Sequence, residues 1–437
     1  MQPALVFVSG FAALIGVGAV LLTLPLSSAE DHWTSVVDAL FTATSAMCVT
    51  GLVVVDTGTY WSRFGQVVIL LLIQLGGLGF MTSSTLLLLL LRREATLRER
   101  ILLRESLGGV GIGSVAYLAR KIITFTFIAE VAGSIVLSIS FLRDLDPLKA
   151  VWWGVFHSVS AFNNAGFDLV GGFQSLVPFN QRPEILLTIA SLLIAGGISY
   201  TAVEDVAKRR RFVRLALDTK LVLVTTAVLI VLGTAAILFT ERADPATLGD
   251  MQLGPRLMNA FFTAVTPRSA GFNSVDLAAM TANGLFVLCA LMFVGGAAGS
   301  TAGGIKVQTF SLLFFAIVAA VRGGTDVEAY GRRVPNGYVL RAIAVALLSL
   351  AVVLAVAMLL TVTEAPRFGY LLFETISAIG TAGLSVGITR DLTIFGRVLL
   401  TLTMFAGRLG PLTLVLALAS RERPTGIRWP EEGVKIG

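Results

Sequence analysis

The sequence predicts an all-α integral membrane protein assembled from four tandem repeats. Three observations lead to this fold class: an apolar composition, basic segments at intervals along the chain, and a glycine-terminated motif that occurs four times. Hydrophobic residues make up 55% of the 437 residues and charged residues only 14%, whereas soluble domains carry about 25% charged residues. With a mean hydropathy of +0.85, most of the chain is expected to lie in a lipid bilayer.

Individual apolar runs are long enough to cross a membrane. Val67–Leu91 and Ala342–Val362 can each span a hydrocarbon core of about 30 Å as a helix. The first apolar segment, Ala4–Leu26, has neither a basic start nor a small-residue cleavage site. It is therefore interpreted as a retained span and not as a signal peptide.

Basic residues are concentrated in four polar segments, 92–121, 204–220, 322–341 and 420–437. These segments hold 21 of the 33 Lys and Arg but only 11 of the 27 Asp and Glu. Because positive residues collect on the cytoplasmic side of membrane proteins, the segments and both chain termini are predicted to be cytoplasmic. The acidic loops left outside either favour cations at the outer face or simply follow from the topology. This distribution speaks against nucleic acid as a partner.

Placing the basic segments inside divides the chain into repeats. The predicted boundaries are 1–92, 116–207, 219–321 and 338–420, followed by a cytoplasmic tail at 421–437. Each repeat contains a long apolar span, a shorter amphipathic segment that ends in a glycine, an outer loop and a second long span. Since each repeat begins and ends inside, the short segment must enter from outside and return. The prediction is eight transmembrane helices and four re-entrant helices around a central pore.

The four short segments align on their glycines. They are "LFTATSAMCVTGL", "VFHSVSAFNNAGF", "AFFTAVTPRSAGF" and "LFETISAIGTAGL", with glycines at 51, 166, 271 and 383, and each has Phe ten residues earlier. Rings of backbone carbonyls that replace a cation's hydration shell are typical of selectivity filters. Glycine permits the backbone dihedrals that such carbonyls need, and the C-terminal end of a helix favours a cation. The pattern therefore indicates a cation filter.

On these motifs the sequence resembles, over essentially its whole length, the superfamily of potassium transporters. This superfamily includes the bacterial Trk and Ktr translocating subunits and the plant and fungal HKT and Trk proteins. Its members contain four M1–P–M2 repeats, in which M1 and M2 are the spans and P is the re-entrant helix. The chain opens directly on the first M1, which places it nearest the Ktr type. Glycine at all four filter positions implies potassium, whereas serine in the first repeat accompanies sodium transport in some plant members.

The resemblance implies potassium uptake, with K⁺ bound at the four filter glycines and Na⁺ as a possible coupling ion. The predicted filter residues are Val49, Thr50, Gly51, Asn164, Ala165, Gly166, Ser269, Ala270, Gly271, Thr381, Ala382 and Gly383. The alternative is a sodium-conducting or weakly selective cation transporter of the same fold. A membrane-embedded enzyme is a third hypothesis, but no His/Asp/Glu cluster or nucleophile–base spacing in the spans supports it.

The second span of the third repeat contains the glycine-rich stretch "FVGGAAGSTAGGIKVQ", Phe293–Gln308. Each glycine costs a helix about 1 kcal/mol, and irregular backbone in a membrane is tolerated where it lines an aqueous path. Resembling proteins have an intramembrane gating loop here, which implies a gate at Gly295–Gly304. The predicted gate residues are Gly295, Gly296, Gly299, Ser300, Thr301, Gly303, Gly304, Lys306 and Arg408.

Intramembrane polar residues leave alternatives open. Arg408 is the only charge in Val398–Ala419 and is expected to act in gating or to join helices by hydrogen bonds, while Lys306 could also snorkel. Asn163 and Asn164 offer oxygens to the filter or form a hydrogen-bonded wall behind it. Other expectations are that Arg268 braces its loop through carbonyls and that glycine pairs in the second spans serve helix packing. Glu130 has no assigned role.

The resemblance also implies partners and a location. Members of this family work as homodimers on a cytoplasmic ring of RCK-type nucleotide-binding regulators, so no nucleotide is expected on this chain itself. The basic inner segments could dock such a ring, although topology explains them equally well. The expected location is the bacterial cytoplasmic (inner) membrane, with multiple spans surrounded by membrane lipid.

Overall fold

The computed structural model describes residues 3–91, 112–324 and 326–410. In these ranges the chain is mostly helical. The α-helices are α1 (Pro3–Thr23), α2 (Val36–Met47), α3 (Arg63–Leu91), α4 (Ile112–Phe141), α5 (Pro147–Phe162), α6 (Pro183–Gly197), α7 (Tyr200–Arg209), α8 (Leu217–Glu241), α9 (Leu253–Val265), α10 (Ala282–Phe293), α11 (Val307–Val321), α12 (Asn336–Thr363), α13 (Phe368–Ile379) and α14 (Ile394–Leu409). Most of the first basic segment, 92–111, and the predicted tail lie outside the described residues.

The four short predicted segments form helices α2, α5, α9 and α13, and the C-terminal half of each is buried. α2, α5 and α13 end four residues before their glycines, at Met47, Phe162 and Ile379. α9 ends earlier, at Val265; Thr266 keeps helical dihedrals, but Pro267 has no N–H with which to continue the hydrogen bonds of the helix. The apolar, amphipathic pattern thus produces helices that point their C-terminal ends into the protein.

Length and composition identify fewer membrane-crossing helices than the eight predicted. Three helices of the described chain are long and apolar enough, within Ala119–Phe141, Leu217–Glu241 and Asn336–Thr363. A fourth results if α6 and α7, which meet at a bend of 93°, count as one span. One cause of the shortfall is visible in the third repeat, where α10 and α11 are 12 and 15 residues long on either side of an irregular loop.

A short hairpin departs from the all-α expectation. Within the predicted polar segment 322–341, β1 (Val327–Ala329) pairs with β2 (Arg332–Val334) in antiparallel register. Tyr330 and Gly331 connect the strands, with φ of 52° and 73°. Positive φ at both central residues is the type I′ geometry that suits a two-residue hairpin. The sequence analysis missed this hairpin because its strands are only three residues long.

Buried apolar side chains pack the helices around one centre. One cluster joins α1, α2, α3, α4, α5 and α6 with part of α9, and a second joins α8, α9, α10, α12 and α13. A third cluster places Phe41 of α2 with Met404 of α14, so the last part of the described chain packs beside the first. The ion pair between Arg397 and Asp38, with 2.5 Å between Nη1 and Oδ1, closes the same junction. The helices therefore form a closed arrangement.

Candidate ion-conduction site

Each short helix is followed by a turn with the same unusual backbone. The residue two positions before each glycine has positive φ, and so does the glycine. These φ values are 55° and 97° at Val49 and Gly51, 59° and 73° at Asn164 and Gly166, 69° and 78° at Ser269 and Gly271, and 45° and 75° at Thr381 and Gly383. Positive φ in a non-glycine residue costs about 1–3 kcal/mol and persists where the surroundings enforce it. Such strain is common at functional sites.

The four glycines meet in a ring, which we call the glycine ring. A Cβ placed on Gly51 would lie 3.2 Å from the Cα of Gly166 and 3.3 Å from the Cα of Gly383. A Cβ on Gly271 would lie 2.9 Å from the Cα of Gly166 and 3.4 Å from that of Gly383. Each glycine thus borders the next along the chain, and the fourth borders the first. The structure brings together all four sequence-predicted glycines.

Backbone carbonyls converge on the glycine ring. A Cβ on Gly51 would come within 2.6 Å of the Ala165 carbonyl oxygen, and one on Gly166 within 2.7 Å of the Ala270 oxygen. The same relation links Gly271 to Ala382 and Gly383 to Thr50. These carbonyls belong to the residues immediately before the glycines, which are among the residues predicted for the filter. Oxygen atoms at the C-terminal ends of four helices form an environment that suits a dehydrated cation.

Side chains of the short helices hold the chain as it leaves the ring. The buried carboxylate of Glu374, nine residues before Gly383, accepts hydrogen bonds from Ser385 Oγ, Val386 N (3.2 Å) and Thr389 Oγ1 (2.8 Å). At the equivalent position of the second repeat, His157 Nε2 lies 3.4 Å from the N–H of Leu169. The sequence favours a structural role for Glu374 through the dipole of its helix. Its hydrogen bonds to the residues after the ring, and the contact of His157, were not predicted.

Asn163 and Asn164 belong to the wall behind the ring. Asn163 Nδ2 lies 2.9 Å from Glu130 Oε1 and 3.1 Å from Gln74 Oε1, and Gln74 Nε2 donates to Glu130 Oε2 at 3.3 Å. The Asn164 amide, oriented to satisfy its neighbours, donates to the carbonyls of Ala161 and Leu193. Of the two alternatives from the sequence, this geometry favours the hydrogen-bonded wall, and it gives Glu130 a partner on each side.

The glycine-rich stretch forms an irregular segment, residues 294–306, between α10 and α11; we call it the third-repeat loop. The loop is mostly buried, and Gly295 N donates to the Ile305 carbonyl at 2.8 Å, so its two ends meet. Thr301 Oγ1 lies 2.8 Å from the Gly196 carbonyl. Gly303 N donates to Ser269 Oγ at 2.9 Å, and Ser269 Oγ lies 2.8 Å from the Thr381 carbonyl. The loop therefore packs directly against the glycine ring.

Two cationic side chains hold the third-repeat loop. Arg408, 1% exposed, donates from Nη1 to the Thr301 carbonyl at 2.5 Å and from Nη2 to the Gly76 carbonyl at 3.0 Å. It thereby joins the loop to α3 in the first repeat. Lys306 is half-buried, and its Nζ donates to the Ala302 carbonyl at 2.7 Å, inside the loop.

Arg268 supports the start of the loop. Its Nη2 lies 3.2 Å from Thr226 Oγ1 and 3.5 Å from the carbonyl of Gly295. Arg268 thus contacts a carbonyl of the third-repeat loop, whereas the sequence analysis expected it to brace its own turn.

Glycines in the second spans allow close packing behind the ring. A Cβ on Gly76 would overlap the Met47 carbonyl, one on Gly196 the Phe162 carbonyl, and one on Gly407 the Ile379 carbonyl. These three carbonyls are the last of their short helices, so the second spans rest on the helix ends. This contact fits the packing role expected for the glycine pairs.

Apolar helices around a ring of carbonyl-bearing turns define a membrane protein of the cation-transporter class. Over residues 13–425 the chain matches the TrkH family, described as "Cation transport protein", and it belongs to that family. The protein is therefore a transporter and not an enzyme. The described residues also contain no group of three or more His, Cys, Asp or Glu that could hold a metal ion.

Two individual relatives match the chain over nearly their whole length. The chain is 40% identical to the Ktr system potassium uptake protein B of Bacillus subtilis, covering 100% of this chain and 97% of that protein. It is 37% identical to the potassium/sodium uptake protein NtpJ of Enterococcus hirae, covering 100% and 98%. These matches confirm the predicted resemblance to the Trk and Ktr proteins.

Among solved structures, the potassium transporter TrkH from Vibrio parahaemolyticus matches 96% of this chain and 85% of its own. The TM-score is 0.75 at 19% identity, so this likeness establishes the helical transporter fold alone.

Proposed function

We propose that this protein takes up potassium through the glycine ring. The observation that carries the proposal is the ring itself: four turns with matching backbone dihedrals, each placing a carbonyl beside the next glycine. Potassium would exchange its hydration shell for these oxygens, and the helix C-termini would favour its charge. The filter residues proposed are those predicted from the sequence, from Val49 to Gly51 and the three equivalent triplets.

The third-repeat loop is proposed as the gate below this filter. It lies against Ser269 and Thr381 of the ring, where it would obstruct an ion leaving the carbonyls. Arg408 would hold the loop in place through Thr301, and its charge would oppose a second cation. An opening movement would have to break these contacts, and the membrane potential would drive the ion inward.

The proposed architecture contains four M1–P–M2 repeats with the boundaries predicted from the sequence, and places both termini in the cytoplasm of a bacterial cell. In the third repeat, α10 and α11 would be the halves of one broken span. A homodimer on a cytoplasmic nucleotide-binding ring of the RCK type is proposed from family resemblance. The regulator, and not this chain, would bind the nucleotide.

A sodium-conducting or weakly selective transporter is the second candidate. A relative at 37% identity is named a potassium/sodium uptake protein. Sodium is therefore a second candidate for the transported or the coupling ion. Glycine at position 51 favours potassium, because a ring without side chains leaves coordination to carbonyls alone.

Substitution of Gly51 by Ser tests the filter. A side chain there would approach the Ala165 carbonyl and needs a positive φ of 97°, which costs an L-residue about 1–2 kcal/mol. We expect a roughly 10-fold lower potassium-over-sodium ratio in vesicle flux, since about 1.4 kcal/mol of differential binding is tenfold. Gly172→Ser is the matched control, because Gly172 also has positive φ (64°) but has no atom closer than 3.7 Å to the added carbon.

Unchanged selectivity in Gly51→Ser, with Gly172→Ser equally active, would contradict the filter role. Potassium and sodium fluxes measured singly in the unsubstituted protein separate the two candidates. Sodium flux without potassium flux would overturn the potassium proposal.

A further inference from the structure

A cavity of about 300 Å³ opens where α3 and α5 begin. Arg63 is the first residue of α3 and Lys149 the third of α5, and both line the cavity together with Trp61, Trp153 and Leu169. In the proposed orientation, short helices enter from outside, so the cavity lies at the outer membrane surface. It is separate from the glycine ring and from the third-repeat loop.

The lining of the cavity favours a negatively charged ligand. Arg63 and Lys149 take part in none of the ion pairs found among the described residues, and each lies over an indole ring, with 5.4 Å to the centroids of Trp152 and Trp153 respectively. The N-terminal ends of two helices add positive partial charge. None of the described residues that line the cavity is Asp or Glu. On the outer face of a cation transporter, such a site is not explained by ion entry.

A buried donor lines the same cavity. Trp61 is 1% exposed, and its indole N–H has no hydrogen-bond partner within the described residues. A buried donor without an acceptor is costly, and native structures usually supply one. Because this N–H is closed to solvent in the structure, an anionic oxygen in the cavity reaches it only if the Trp61 side chain shifts.

Apolar surface continues from the cavity along α3. Phe64, Val67 and Leu71 follow Arg63 at helical spacing and are 37%, 39% and 57% exposed. On α5, Leu148 beside Lys149 is 85% exposed. This combination of a cationic pocket, tryptophans and an exposed apolar stripe is suited to a molecule with an anionic head and acyl chains. We propose that the cavity binds the phosphate headgroup of an anionic phospholipid of the outer leaflet.

Such a lipid would stabilise the second turn of the glycine ring; this consequence rests on the proposed function. Leu169 lines the cavity and lies three residues after Gly166. The Leu169 N–H faces His157 Nε2, and the His157 ring lies 5.6 Å from that of Trp153, which also lines the cavity. Arg63 and Lys149 would then be positioning residues, because they act on the filter through the bound lipid.

Lipid retention by the purified full chain tests the site. The chain is placed in nanodiscs of phosphatidylcholine with increasing phosphatidylglycerol, and bound lipid is counted by native mass spectrometry. The double variant Arg63→Gln/Lys149→Gln should bind phosphatidylglycerol roughly 10-fold more weakly, because it loses two charge-assisted contacts. Trp61→Phe, which removes only the N–H, should weaken binding several-fold. Arg143→Gln is the matched control, because Arg143 is exposed, pairs with Glu184 at 3.0 Å and lies outside the cavity.

Equal retention by the double variant and Arg143→Gln, with equal melting temperatures in phosphatidylcholine, would overturn the proposal. Inorganic phosphate provides a second arm: if it raises the melting temperature of the unsubstituted chain as much as phosphatidylglycerol does, the site binds a soluble anion and the lipid is excluded. In vesicles, phosphatidylglycerol should increase potassium flux several-fold in the unsubstituted chain and less in the double variant. Because retention needs no flux, the lipid site and the transport proposal can fail separately.

Discussion

The glycine ring and the third-repeat loop share a hydrogen bond, from Gly303 N to Ser269 Oγ, yet they are held in different ways. The ring is made of one turn repeated four times, and its shape is set by backbone dihedrals and by close contact between glycines. The loop occurs once, and single side chains fix it: Arg408, Thr301 and Ser269 each bond to a backbone group.

This difference separates two properties of the transporter. A site whose shape is set by glycine backbones loses that shape when a side chain is added, because there is no space for the side chain. A loop fixed by side chains changes when one is removed, because its carbonyls and N–H groups lose partners while the ring keeps its shape. We therefore expect substitutions in the ring to alter selectivity and substitutions at the loop to alter flux.

The largest effect is expected for Gly383→Ala. The added methyl would overlap the Thr50 carbonyl and lie 3.0 Å from the Cα atoms of Gly51 and Gly271. Potassium uptake should fall at least 10-fold, with loss of selectivity, since backbone and not a flexible side chain must move. Gly387→Ala is the control: it also has positive φ (92°), but no atom lies within 4 Å of the added carbon. Normal uptake by Gly383→Ala in potassium-starved cells would refute a backbone-defined ring.

An intermediate effect is expected for Arg408→Gln. The substitution removes the charge-assisted hydrogen bonds to the Thr301 and Gly76 carbonyls, each worth about 1.5–3 kcal/mol. The loop should open more often, so that potassium flux in vesicles rises several-fold while the potassium-over-sodium ratio stays constant. Arg333→Gln serves as control, because Arg333 lies in the exposed hairpin and pairs with Asp326, away from the loop. A change in selectivity without a change in flux would contradict the proposed role of Arg408 in holding the third-repeat loop.

The smallest effect is expected for Ser269→Ala, which tests the link between the two regions. The hydroxyl accepts from Gly303 N at 2.9 Å and contacts the Thr381 carbonyl at 2.8 Å. Its loss leaves a buried N–H without that acceptor, at a cost of about 1–3 kcal/mol. We expect a two- to fivefold change in flux with a small drop in selectivity. If both properties match the unsubstituted protein in the vesicle assay, the regions are not coupled through this hydroxyl.

Much of the ring could be predicted from the sequence because its signal is local and repeated. Four aligned motifs located Gly51, Gly166, Gly271 and Gly383, and glycine has few reasons to recur at such positions other than backbone geometry. The glycine-rich third-repeat loop was found for a related reason, since glycines weaken a helix wherever they occur.

The supporting contacts could not be predicted in this way, because they join residues far apart in the sequence. Ser269 reaches Gly303 and Thr381, and Arg408 reaches Gly76, across separations that no motif encodes. The positive φ of Val49 also had no local signal, because β-branched residues avoid that region and adopt it here only under tertiary constraint. Sequence periodicity likewise did not indicate the 93° bend between α6 and α7.

The junction between the first and last repeats has a consequence for biosynthesis. Gly383 completes the ring beside Gly51, and Arg397 then pairs with Asp38. A ribosome adds about 5–20 residues per second, so on the order of tens of seconds separate the emergence of the first and fourth turns. During that interval the nascent chain has three of the four turns of the glycine ring, and it lacks Arg408, which contacts the third-repeat loop. We expect insertion to be completed before the chain can conduct, so that unfinished copies do not discharge the membrane.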